Sequence, residues 1–131
     1  MCSHANWQPV LLGDKAIVAR ELALDLANRI RRAERVRFKL TDVPDWHSRA
    51  GLLDRSHEFS LSSGVAGNAL LFAYCHDQWP SEGFADFSRE NLHAAIEGLE
   101  SLSGRVDLWD GFTGIAWVVD HLSRHFPHIV G

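Results

Sequence analysis

The sequence predicts an all-α protein built of helical hairpins, and three observations carry that prediction. The first is a repeat: residues 60–76, SLSSGVAGNALLFAYCH, recur 47 positions later as DLWDGFTGIAWVVDHL, starting at Asp107. The alignment sets Leu61 on Leu108, Gly64 on Gly111, Gly67 on Gly114 and Ala69 on Ala116. That period falls in the range of helical-hairpin repeats. The second is one-faced helical periodicity in the segments preceding each copy, and the third is the lack of any strongly strand-like alternation.

Residues 1–14 read as irregular, with Pro9 and Gly13 as breakers. Asp14 is placed to cap a helix over residues 15–35, whose apolar stripe runs through Val18, Leu22, Leu26 and Ile30. One apolar face suits an outer position in a layered helical fold. Residues 40–59, with Pro44 and Gly51, read as a connection longer than compact domains usually carry.

The first inner helix is expected over residues 60–77, entering at Gly64, with Gly67 inside its first turn. Glycine there costs about 1 kcal/mol relative to alanine, so its appearance twice points to a second backbone packed against that turn. Leu70, Leu71, Phe72 and Ala73 make the helix apolar on most sides, as Trp117, Val118 and Val119 do in the second copy. Helices of that kind are buried. The first inner helix stops where Pro80 and Gly83 follow. Ser88 then caps a second outer helix over residues 88–102, with Leu92, Ala95, Ile96, Leu99 and Leu102 on one face. The second inner helix covers residues 111–125 and ends before Pro127. One-faced and all-round apolar helices thus alternate, giving two hairpins in a single domain over residues 1–131. Trp109 and Trp117 are expected to be partly buried.

Composition limits the function classes. A chain of 131 residues with 46% apolar and 23% charged residues can bury a real core. A net charge of −4 argues against a dedicated nucleic-acid binder. The two cysteines, Cys2 and Cys75, form no disulfide framework. Neither a signal peptide nor a membrane-length apolar run is visible, so a cytoplasmic protein is expected.

Three groups of residues could carry chemistry or binding. Residues 29–39, RIRRAERVRFK, hold six basic side chains and one acidic. A basic run near a helix C-terminus complements the macrodipole, and that is the plainest explanation. The sharper one is a docking patch for an acidic peptide or partner, formed by Arg29, Arg31, Arg32 and Arg35. His121 and His125 have the i, i+4 spacing that can chelate zinc, with His128 nearby. No cysteine joins them, and histidines at a helix C-terminus are favoured by the dipole, so no metal is assigned there. Asp107, four residues before Gly111, sits where a carboxylate could act as a base beside helix N-termini. It could equally cap the turn, a role for which Asp110 competes.

The stretches SLSSGVAGNALLFAY and DLWDGFTGIAWVVDHL resemble the Gly-x-x-Gly repeats of lanthionine synthetase C-like (LanC-like) proteins, over roughly residues 55–125. The resemblance implies an α/α toroid whose inner helices begin at a glycine pair, here a partial toroid of about two repeats. It also implies zinc-dependent Michael addition of cysteine thiols to dehydrated Ser or Thr in a precursor peptide. The family's proton-transferring Asp would fall on Asp107. The family's zinc ligands, two Cys and one His, are carried by later repeats, and this sequence has neither Trp-Cys-x-Gly nor Cys-His-Gly. Cys75 and His76 lie at the far end of their helix from the glycine turn, so the ligand role does not transfer to them. The expectation is an incomplete cyclase, inactive and binding no zinc by itself. Its partners would be a precursor peptide or a modification enzyme, and exposed helix flanks would favour self-association. Two alternatives stay open: a short helical-repeat peptide-binding module, and part of another α/α-toroid enzyme such as a glycosidase.

Overall fold

The computed structural model describes residues 10–39, 56–101 and 106–131, which fall into two units, 1–39 and 40–131. All regular structure among the described residues is helical.

Among the described residues the first unit contributes one helix, α1 (Asp14–Lys39), four residues longer at its C-terminal end than the sequence suggests. Its first turn is closed by the Gly13 carbonyl, which accepts from the Ala16 and Ile17 amides at 3.0 and 3.3 Å. Gly13 has φ +59°, a conformation open to glycine at little cost. Asp14 is therefore the first helical residue rather than the residue before it, and its charge still suits the positive helix end. The stripe residues Val18, Leu22 and Leu26 are exposed.

In the second unit, a short helix α2 (Ser56–Phe59) leads into a turn over residues 60–63 and then α3 (Val65–Gln78). The turn takes up the start of the segment expected as helix from residue 60. Trp79, whose amide donates to the Cys75 carbonyl at 2.8 Å, ends α3. A 3-10 turn over Pro80–Glu82 and Gly83, at φ +75°, reverse the chain into α4 (Phe84–Glu97). The later elements are α5 (Phe112–His125) and α6 (Pro127–Val130), with Pro127 at the first position of α6.

The second outer helix corrects the sequence reading. It begins at Phe84, not Ser88, and Ser88 is fully buried inside it. The Ser88 hydroxyl donates to the Ala69 carbonyl at 2.7 Å, so a tertiary bond has claimed the residue that looked like a cap. Asp86, bonded to Arg89, supplies the acidic first turn instead. α4 lies along α3: Phe72 of α3 meets Phe84 and Phe87 at 5.8 and 5.7 Å between ring centroids. Ala66, Ala69 and Ala73 of α3 share one core cluster with Leu92 and Ala95 of α4. Small side chains at those three positions allow the close approach. α5 and α6 complete the cluster with Ile115, Val118, Leu122, Phe126 and Ile129. α3 thus forms a hairpin with the helix that follows it. α5 also departs from the expected all-round burial, because Ala116 and Trp117 face solvent.

Candidate functional site

The two glycine turns are closed by the same pair of bonds at equivalent positions. In the first, the Ser60 hydroxyl oxygen accepts from the Ser63 amide at 3.2 Å, and the Ser60 carbonyl accepts from the Gly64 amide at 3.1 Å. In the second, Asp107 Oδ1 accepts from the Asp110 amide at 2.7 Å, and the Asp107 carbonyl accepts from the Gly111 amide at 3.1 Å. Neither α3 nor α5 has a side-chain cap; Gly64 and Gly111 enter both helices in extended conformation. The inner glycines answer the question their cost raised. A Cβ on Gly67 would lie 2.3 Å from the Leu61 carbonyl oxygen, and one on Gly114 would lie 2.0 Å from that of Leu108. In each repeat the turn folds its own leucine backbone onto the glycine six residues later.

The turns also hold each other. The Ser62 amide donates to the Trp109 carbonyl at 3.1 Å, and the Ser62 hydroxyl donates to Asp110 Oδ1 at 2.6 Å. The Leu61 side chain sits 3.1 Å from where a Gly114 Cβ would be. Asp107 is exposed at this end of the helices, with one carboxylate oxygen engaged in the turn. Asp110 serves the contact between repeats rather than a helix cap. Trp109 is 62% exposed and Trp117 44%, more open than the sequence suggests.

Away from the glycine turns, Tyr74 and Trp117, which the sequence did not single out for chemistry, join the His121 and His125 pair that it did. The Tyr74 hydroxyl pairs with His121 Nε2 at 2.9 Å, across one repeat period of 47 residues. Trp117 stacks on His121 at 4.9 Å, and His121 meets His125 at 4.5 Å. Aligning Tyr74 with His121 was possible from the repeat; their contact depends on how the helices pack. The pKa of His121 is lowered, first by burial and then by the charge of His125, with Asp120 opposing. His76 and His128 form a second ring pair at 5.5 Å. Burial raises the pKa of the Cys75 thiol, which disfavours the thiolate a metal would need.

Among the described residues no group of three or more His, Cys, Asp or Glu could hold a metal ion, so they do not fit the zinc site of the family that the sequence resembles. In the basic segment, Arg29 pairs with Asp25 at 2.8 Å, Arg31 bonds the Asn28 side chain, and Arg32 Nε donates to the Asn28 carbonyl at 3.2 Å. The Arg35 side chain lies outside the described residues. No described helix is long and apolar enough to cross a membrane.

No curated protein and no solved structure matches the chain. A family model, described as lanthionine synthetase C-like protein, matches residues 55–127. That span contains both glycine turns, α3, α4 and α5, and covers more than half of the sequence. The chain therefore belongs to the lanthionine synthetase C-like family.

Proposed function

We propose that this chain derives from lanthionine-forming enzymes and serves lanthipeptide-type peptide modification, without forming thioether rings by itself. The observation that carries the reading is the pair of interlocked glycine turns inside the span that the family model matches. In this chemistry a substrate cysteine sulfur adds to the β-carbon of a dehydrated Ser or Thr, and the α-carbon takes up a proton. In the family zinc serves the thiol; no described group here suits it, so no activation step is assigned to this chain. On this reading Asp107 is the chain's candidate for handling that proton. Its exposure at the entry to α5 supports the role, and its bond to the Asp110 amide would fix the carboxylate in place.

The basic end of α1 is the proposed docking site for an acidic segment of the precursor peptide. Arg29, Arg31 and Arg32 are each tied to a neighbour on their own helix, which holds their charges in place. The second reading, a peptide-binding helical repeat with no role in cyclisation, is favoured by the same cluster.

The test is to incubate the purified chain with a dehydrated, cysteine-containing peptide, with and without zinc, and to follow thioether formation by mass spectrometry. The reaction should proceed only at the spontaneous rate. Acceleration by the chain would overturn the reading of an inactive relative. Binding of the precursor peptide without acceleration is the expected companion result. An equal affinity for unrelated acidic peptides would favour the general binding module.

A further inference from the structure

The contact between the two repeats is directional, and among the described residues each repeat leaves one half of it unused. Repeat one lends the Leu61 side chain and the Ser62 amide; repeat two receives them at Gly114 and the Trp109 carbonyl. One period on, the lending position of repeat two is Leu108, which is exposed. One period back, the receiving position of repeat one is Gly67. Among the described residues, only Leu61 of its own turn would come within 4 Å of a Cβ there. Gly114 is buried, whereas Gly67 is only partly so.

The helices repeat the pattern. Val118 is buried, but its counterpart Leu71 in α3 is exposed. Leu70 is half-buried against the core, but its counterpart Trp117 in α5 is exposed. The open edge of α5 is therefore the counterpart of an edge that is covered in α3, and the open edge of α3 is the counterpart of one that is covered in α5.

We propose that a second copy of this chain docks head to tail on these edges, with Leu108 and Trp117 of one copy set against Gly67 and Leu71 of the next. The interface continues the one already formed between repeats within the chain, which is why the occupant is the chain itself rather than an unrelated peptide. It is weaker than the internal contact in one respect. The bond between the Ser62 hydroxyl and Asp110 has no equivalent, since Trp109 and Ser63 occupy those positions one period away. A contact between two different surfaces closes into a ring when its rotation allows, and otherwise extends as an open chain. The proposal is independent of the catalytic reading above.

Sedimentation velocity over a concentration series tests it. The full chain should sediment above its 14.7 kDa monomer mass as concentration rises. Leu71→Glu and Trp117→Glu, each at an exposed position, should both reduce it to monomer with an unchanged circular dichroism spectrum. A mixture of the two variants is decisive, because each keeps the edge that the other has lost. It should form a dimer and nothing larger. Three results would each overturn the proposal: a monomeric parent up to about 1 mM, the weak limit of specific association; self-association that survives both substitutions; or a mixture that stays monomeric.

Discussion

Substituting Gly114→Ala puts the packing of the glycine turns under direct strain. In an exposed helix that change would stabilise by about 1 kcal/mol, because alanine is the better helix former. Here the new methyl would lie 2.0 Å from the Leu108 carbonyl oxygen and 3.1 Å from Leu61 Cβ. The first neighbour is backbone and cannot rotate away. Overpacking of this kind costs about 1–3 kcal/mol, and an immovable neighbour places it at the upper end, so the net loss is about 2 kcal/mol. For a unit of this size that lowers the midpoint of thermal unfolding by roughly 8–16 °C. Gly67→Ala, at 2.3 Å from the Leu61 carbonyl oxygen, should lose a similar amount, since the two turns are equivalent. Gly98→Ala makes a useful contrast. Its Cβ would meet the Phe59 ring at 2.2 Å, and a side chain can move, so the loss should be smaller. Thermal melts followed by far-ultraviolet circular dichroism give all three values. A raised midpoint for Gly114→Ala or Gly67→Ala would refute the close backbone approach.

Three further expectations follow from the same geometry. Ser88→Ala removes the buried hydroxyl bonded to the Ala69 carbonyl and should cost about 1 kcal/mol in denaturant unfolding, whereas a surface cap would be restored by a serine placed before Phe84. The lowered pKa of His121 means that the folded chain binds fewer protons than the unfolded one through the ordinary histidine range. Stability should rise as pH increases through that range and fall on acidification, and His121→Gln should flatten the dependence measured by unfolding at several pH values. Docking of an acidic precursor segment should weaken with salt, because exposed charges are screened beyond about 8 Å at physiological ionic strength. Replacing Arg31, Arg32 and Arg35 together with Ala should abolish it in fluorescence anisotropy while leaving the helical spectrum intact.

The helices were legible because their signals are local. The glycine pairs, the apolar runs after them and Pro127 each determine a boundary through their own backbone preferences. Ser88 misled for the opposite reason: its cap-like position is a local signal, and the Ala69 carbonyl that binds it lies across the hairpin, 19 residues earlier. The same limit applies to the candidate site. Asp107 was visible as a carboxylate at a helix entry, yet its bond to the Asp110 amide and the pairing of Asp110 with Ser62 depend on how two turns meet. Tyr74 carries no motif; only the repeat period connects it with His121. Solvent exposure of Trp117 was unreadable because an apolar run does not say which side finds a neighbour.

Amide hydrogen exchange at Ser62 tests the interlocking of the repeats most directly. Ser62 is exposed and lies in a turn, so the helices do not protect its amide; the Trp109 carbonyl at 3.1 Å does. The account predicts slow exchange at Ser62, lost when Gly114→Ala forces the turns apart. Exchange at the rate of an unprotected amide in the parent chain would contradict it.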